Sequence, residues 1–486
     1  MMCTFSKDRL KENKYTILGH LTFFVLCVFS CIFAYERVLF MDSAAQVFEF
    51  IRDEGFEIYA ERYSMYLFQS LPVFLVKMHA PLSVVIYSYS LSFLIIAYIL
   101  WLITVYFLKN KSVGVLMLFI MIGIRQTFFH AISETFQLFF FACFLYAWLF
   151  QTRNYLASVF SKIAYYFIAL LFILLCIFIH PVAAFFVLFI CGMYLLDKDK
   201  ALASKIIIAV LSIGVILIKM FSIQEGSYET TFMISMNDFF ERLFSVFSLS
   251  SSKWYISHIL DFYWVPLLMF VLTLVFYWKK KEFWHFAFHF CFVIGFWVVT
   301  VVTYSAGGGG IAMERSFLPL FFFCGLPFMT EVFPSLSVKW DRIFFVALTI
   351  LILGGFIKIA VASNPYTERL NKIEEIALLA NQEGKKKLLI EEKTINEIFP
   401  TNSWGLGFES IMYSALKGKD SIVNMYVVEQ FNPDEERYKD TEVYLAVSWW
   451  TYWNIDDMNP HYFKLPKQPC FLLVLENGIL QIKEIE

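Results

Sequence analysis

MDSAAQVFEFIRDEGFEIYAERYSMYLFQSLPVFLVKMH, residues 41–79, is the stretch on which the reading of this chain turns. It lies between a first long apolar run at about 15–33 and a second at about 81–108. It is too polar to span a bilayer and too regular to be a plain loop. Ala44, Val47, Phe48 and Ile51 fall on one helical face, with Asp42, Gln46, Glu49 and Asp53 on the other. A second apolar-rich segment with charged edges runs from Arg62 to Lys77. The pattern predicts two short helices over 42–79 that lie along a membrane surface, with Asp42 just past the end of the first span. Ser43 with Gln46 also fits a capping box, which would make this corner a helix cap and nothing more.

Outward from there, composition sets the class. The chain has 486 residues, 59% hydrophobic and 16% charged, which excludes a soluble enzyme of ordinary make-up. Repeated apolar runs of about 17 or more residues predict a polytopic membrane protein. A net charge of −2 gives no basic character for a nucleic-acid partner. The 9 cysteines form no CxxC pair and no disulfide framework, so they read as buried, inert thiols. The 58 phenylalanines read as bulk packing in lipid-facing helices.

A length criterion of about 17–25 residues predicts roughly eleven spans: 15–34, 82–108, 112–125, 134–150, 163–179, 182–196, 204–221, 262–278, 284–304, 316–331 and 343–361. Lys7, Arg9, Lys11 and Lys14 precede the first, which puts the N-terminus in the cytoplasm. The same count puts Lys109, Lys111, Arg153, Lys162, Lys198, Lys200, Lys205, the lysines 279–281, Lys339 and Arg342 on that side. Segments 35–81, 222–261 and 362–486 then face outward. Residues 1–361 are therefore expected to form a transmembrane domain, and 362–486 a small extracytoplasmic α+β domain. In that tail Leu370, Ile373, Ala377 and Ala380 predict a helix, and Lys387 to Ile390 and Val443 to Val447 predict strands. Phe471 to Glu476, Asn477-Gly478 and Ile479 to Ile485 predict a hairpin on a type I′ turn. Trp449, Trp450, Tyr452 and Trp453 suit packing better than a sugar-binding surface.

Several ionisable residues gather at the outer ends of spans under this topology: Asp42, Arg125, His130, Glu134, His180 and the pair Glu314-Arg315. Such groups at membrane depth are functional candidates by default. Each also has a plainer reading: Glu134 paired with Arg125, His180 before Pro181 ending a helix, Arg315 anchored on lipid phosphate. Gly307 to Gly310 is either a close-approach backbone or a loose loop. No metal-ligand spacing is visible. Asp42, Glu134 and His180 are the oxygen and nitrogen donors from which a site for a divalent cation would be built. No nucleophile elbow, P-loop or dinucleotide motif is present.

An N-terminal span, an acidic residue just beyond it, paired amphipathic helices, a polar–acidic start to the fourth span (ISETFQLFFFACFLYAW) and a folded C-terminal domain resemble the C-type glycosyltransferase superfamily, GT-C. That superfamily includes protein mannosyltransferases and lipid A aminoarabinose transferases. The resemblance implies an all-α polytopic fold, a polyprenyl-phosphate sugar donor, and a glycan, lipid or protein acceptor at the outer face of a bacterial inner membrane. It implies Asp42 as the first-loop catalytic acid and Glu134 as the second acidic position. Arg315, with Glu314, Arg62, Arg125 and His180, would contact substrate. Ser43 after Asp42 departs from the Asp-Glu pair of the mannosyltransferases. Other readings are a polysaccharide polymerase or ligase of the O-antigen type, for which IRQTFFHAI and the acidic first loop would serve, a transporter, or a nonenzymatic membrane scaffold. A transporter would call for an internal repeat or a charge pair midway along a span, and neither is visible.

Overall fold

A computed structural model describes residues 5–124, 127–130, 134–151, 158–223, 234–304, 313–399, 404–446 and 453–485, the side chains of 5–12, 122, 151 and 313–316 excepted. The first part is a helical bundle. In chain order its helices are α1 (Phe5–Ile32), α2 (Ala34–Val38), α3 (Met41–Arg52), α4 (Met65–Lys77), α5 (Leu82–Leu102), α6 (Lys111–Leu118), α7 (Ile120–Gly123), α8 (Glu134–Gln151) and α9 (Val159–Ile177). They continue with α10 (Ala183–Leu196), α11 (Leu202–Ser222), α12 (Met236–Phe244), α13 (Ser250–Phe262), α14 (Trp264–Lys280), α15 (Phe283–Thr303), α16 (Met313–Pro327) and α17 (Val338–Ala362). Close backbone approach depends on small residues. A Cβ on Gly19 of α1 would lie 2.1 Å from the Trp101 ring of α5, so only glycine lets these two helices meet.

Among the described residues, 7 helices are long and apolar enough to cross a membrane, or 8 if α13 and α14, bent by 90° at their junction, count as one. The expected eleven is therefore not reached. Segment 112–125 is divided between the short α6 and α7, and 134–150 and 182–196 are helices of less than full spanning length. These pieces are packed inside the bundle: Leu116, Met117, Phe139, Phe140 and Phe186 are buried. Many phenylalanines do the same rather than facing lipid, as in the cluster of Phe186, Phe189, Phe292, Phe322 and Phe323.

Contacts sort the helix ends into two faces. On one, Lys14 in the N-terminal half of α1 pairs with Asp341 at the start of α17 (2.7 Å), and Tyr15 donates to the same carboxylate (3.0 Å). There too Lys198 after α10 pairs with Glu282 before α15 (3.0 Å), and Lys200 reaches the Leu149 carbonyl near the end of α8 (2.9 Å). On the other face Ser64 donates to the Leu175 carbonyl at the end of α9 (2.7 Å), and Arg242 of α12 to the Val302 carbonyl at the end of α15 (3.2 Å). Lys14 thus sits with the start of α17, and Lys198 and Lys200 with the start of α15 and the end of α8.

The tail begins with α18 (Asn364–Glu383), which follows α17 directly with Pro365 in its first turn and ends on Gly384 at φ 71°. Then come β1 (Lys387–Glu391), α19 (Glu392–Ile398), α20 (Leu406–Ala415), β2 (Asn424–Val428), β3 (Val443–Tyr444), β4 (Trp453–Asn454), β5 (Phe471–Glu476) and β6 (Ile479–Lys483). The main sheet has the order β2-β1-β5-β6, with β1 parallel to both β2 and β5, and β5 antiparallel to β6. Asn477 (φ 53°) and Gly478 (φ 78°) both adopt the left-handed region that a type I′ hairpin turn requires.

The lipid-surface expectation for 42–79 divides between its two helices. Helix α4 keeps an exposed apolar row of Tyr66, Leu67, Leu71 and Phe74. Helix α3 is covered by protein: every residue from Ser43 to Ile51 is buried. The tail supplies the cover. The Phe48 ring meets Phe408, Tyr444, Trp453 and Phe463, and the Arg52 guanidinium stacks 4.2 Å from the Trp453 ring centroid. Asn459 donates to the Ile51 carbonyl (2.9 Å) and Tyr462 to the Ala80 carbonyl (2.8 Å). Trp453 is thus a packing residue, while Trp449, Trp450 and Tyr452 lie outside the described residues.

Candidate functional site

Asp42 lies in the first turn of α3 and is exposed, whereas its neighbours from Ser43 onward are buried. The helix starts from Phe40, not from a Ser or Asp cap: the N-cap position makes no side-chain capping bond, and Ser43 is already inside the helix. The capping-box reading of this corner therefore fails. Met41 has φ 46°, a left-handed conformation unusual for a residue with a side chain, and it turns the chain sharply into α3.

Glu134 opens α8 and is 4% exposed. It is ion-paired with Arg62; Arg125, the partner weighed from sequence, lies outside the described residues. Arg62 reaches it from a contorted segment in which Ala60 (φ 49°) and Glu61 (φ 56°) are both left-handed. That segment is fastened by Glu61, which accepts from Lys219 and Ser222 at the end of α11, each at 3.0 Å. The Lys219 contact holds the Glu61 carboxyl below the usual carboxylate range, against a smaller opposing effect of burial. Lys219 was not singled out from sequence; a second lysine, at the opposite end from Lys205 of a largely apolar 21-residue helix, is the signal that could have found it.

Asp42 and Glu134 are brought into one electrostatic neighbourhood by Tyr89 of α5. Its buried hydroxyl feels the charge of both carboxylates. The same hydroxyl donates to the Gln46 side-chain oxygen, and the Gln46 amide donates to the Glu57 carbonyl (3.2 Å), tying α3, α5 and the 53–64 connection together.

The remaining candidates are more dispersed. His180 accepts at Nδ1 from the Val182 backbone N–H (3.1 Å), as a residue that shapes the turn into α10. His130 meets the rings of Phe40 and Tyr366 edge-on. Glu314 and Arg315 fall in the first turn of α16, at the end marked by the stacking of Phe317 on Tyr263, but their side chains lie outside the described residues. So do residues 307–310. Among the described residues no three His, Cys, Asp or Glu side chains are grouped to hold a metal ion, so Asp42, Glu134 and His180 are not a ligand set.

A second acidic group lies on the buried side of α3. Glu49 is 5% exposed, and its carboxyl is pushed up to about 8 by burial first, then by Glu57, with Arg52 opposing and Asp53 adding to the rise. Glu57 is likewise raised, by burial and then by Asp53.

Comparison with protein-family models, curated proteins and solved structures finds no match.

Proposed function

We propose that this chain is a membrane glycosyltransferase of the GT-C kind, moving a sugar from a polyprenyl-phosphate donor to an acceptor at the extracytoplasmic face. The observation that carries the reading is the exposed Asp42 carboxylate beside a second carboxylate, Glu134, that is already paired with Arg62. This gives an exposed base and a cation within one neighbourhood at the ends of apolar helices. Arginine suits a phosphate leaving group because its planar fork donates two parallel hydrogen bonds.

In this reaction the acceptor hydroxyl gives its proton to Asp42 as its oxygen bonds to the anomeric carbon. The bond from that carbon to the phosphate oxygen breaks, and the electron pair leaves with the polyprenyl phosphate. Attack from the opposite side inverts the anomeric centre. Arg62, exchanging Glu134 for the phosphate, offsets the charge that develops there. The extracytoplasmic assignment rests on the lysine-rich ends near Lys14, Lys198 and Lys339, which the positive-inside rule puts in the cytoplasm.

The test is transfer itself. The protein, purified into lipid nanodiscs, is incubated with a panel of polyprenyl-phosphate sugars and candidate glycan, lipid and protein acceptors. Mass spectrometry follows release of polyprenyl phosphate and gain of a sugar on the acceptor. Release that depends on acceptor and is lost in Asp42→Asn supports the reading. No release from any donor by a folded protein would count against it.

A further inference from the structure

Residues 36–41, which lead into Asp42, are gripped by the tail domain at every turn. Thr367 donates to Glu36 (3.0 Å). The Tyr366 ring meets Phe40 edge-on, with centroids 5.0 Å apart. The Arg369 guanidinium lies 5.8 Å from the centroid of the same Phe40 ring. Arg369 and Glu409 form an ion pair at 2.6 Å, with side chains 1% and 0% exposed. The second oxygen of Glu409 accepts the backbone N–H of Met41 at 2.9 Å.

A buried charge pair is an expensive way to join two helices, since hydrophobic residues of similar volume often serve as well. What it adds here is direction. Oε2 is fixed by Arg369, so Oε1 is aimed at one backbone donor, that of Met41. This N–H stands at the start of α3, where no preceding helical carbonyl serves it. The residue that carries it has the left-handed φ of 46°. Gly405, one turn before Glu409, backs the same point: a Cβ there would lie 3.1 Å from Met41 Cα and 3.3 Å from Met41 O. An unusual backbone conformation is thus fixed from two sides, by a hydrogen bond and by close approach, one residue before the exposed carboxylate.

We propose that the tail domain is a clamp on the reacting carboxylate, with Glu409 as a positioning residue for Asp42, oriented in turn by Arg369. The inference rests on the reading of Asp42 as the general base, and it assigns the tail a part in the reaction through α3, separate from any binding of acceptor.

Three variants of the full-length protein in nanodiscs test it. Gly405→Ala keeps both charges of the pair, and its added Cβ crowds Met41 (3.1 Å from Cα) and the Glu409 oxygen that accepts the Met41 N–H (3.3 Å), so that contact must give by a few tenths of an ångström. Glu409→Gln keeps a carbonyl acceptor for the Met41 N–H but loses the charge facing Arg369. Asp42→Asn reports on the underlying reading. Turnover of a polyprenyl-phosphate sugar is measured as kcat and KM separately, and backbone hydrogen exchange is followed over 40–46. Misplacement of a reacting group by about 1 Å can lower a rate about 100-fold, so Gly405→Ala is expected to lower kcat at least about threefold. KM should stay nearly constant, and exchange over 40–46 should quicken without change over 82–102. Glu409→Gln should lie between parent and Gly405→Ala in both readouts. An inactive Asp42→Asn together with parental kcat and exchange in Gly405→Ala overturns the clamp and leaves the base assignment standing. Parental turnover by Asp42→Asn overturns both.

Discussion

Arg62 and Glu134, 72 positions apart in the chain, form an ion pair on the face of the bundle that also carries Asp42. Their side chains are 19% and 5% exposed. Arg62 lies in no helix: it follows the left-handed pair at 60–61, and Glu61 of that pair is held by Lys219.

Breaking a fully buried pair by removing one partner costs about 3–5 kcal/mol, and the partial exposure of Arg62 brings the expected figure nearer about 2 kcal/mol. Arg62→Ala and Glu134→Ala should each lower the melting temperature in detergent. The double variant should lose less than the two singles combined, because the second change removes an already widowed charge. Strictly additive losses would show that the two side chains are not coupled.

Asp42→Asn should abolish transfer while leaving melting behaviour at the parental value. The side chain is exposed, so the isosteric amide disturbs no packing. Loss of a general base lowers a rate by about 10²–10⁴-fold. Near-parental transfer would reduce Asp42 to a surface residue.

Glu49 gives the protein a pH dependence of definite sign. Its carboxyl, ordinarily near 4.5, is pushed up to about 8 in the fold, by burial first. Between those values the folded protein keeps a proton that the unfolded chain has released. Stability therefore falls as pH rises from about 4.5 to about 8 and falls no further from this source above that. Glu49→Gln removes the ionisation. The difference in melting temperature, variant minus parent, should grow in the variant's favour across the same window. A difference that is flat with pH would mean that Glu49 is charged in the fold.

Phe48 is the hinge pin of the packing between α3 and the tail, touching four aromatic rings there. Phe48→Ala should cost about 3–5 kcal/mol through lost burial and the cavity left behind. Phe48→Leu should cost markedly less. Thermal denaturation followed by tryptophan fluorescence compares them, since Trp453 lies against the altered ring. Equal melting temperatures for the alanine and leucine variants would contradict this packing.

A reporter that is active only outside the cytoplasm, fused after Glu486, should be active. One fused in the 198–200 connection should be silent. The reverse pattern would put Asp42 and the tail in the cytoplasm and remove a lipid-linked donor of the outer face.

The parts of the fold that local chemistry dictates were legible in the chain. Asn477-Gly478 specifies its own turn, α18 carries its apolar stripe at 370, 373, 377 and 380, and the long uncharged runs are long helices. For α6, α7, α8 and α10 the apolar runs are helices shorter than a full span, and hydropathy alone does not distinguish a helix bathed in lipid from one enclosed by other helices. For α3 the sequence told that one face is apolar but not what covers it, and the cover comes from residues such as Phe408 and Asn459, more than 350 positions away. The tail was expected to hold strands, yet its parallel pairing of β1 with β2 and β5 depends on crossovers that no short motif announces. At the candidate site Asp42 and Glu134 stood out as charges at helix ends. Arg62 was marked as a substrate contact, but its pairing with Glu134, and that of Lys219 with Glu61, depended on tertiary neighbours.

The burial of α3 beneath the tail also sets an order of events during synthesis. Residues 41–52 leave the ribosome early, but their partners Glu409, Trp453 and Asn459 follow only after all the spans have been made. Until then Phe48 lacks the four rings that cover it, and the nascent chain carries an amphipathic segment with that side uncovered through its membrane insertion. The last quarter of the polypeptide closes over one of the first pieces made. A chain that stops short of it has its spans complete but an α3 that lacks the rings of Phe408, Tyr444, Trp453 and Phe463 over Phe48.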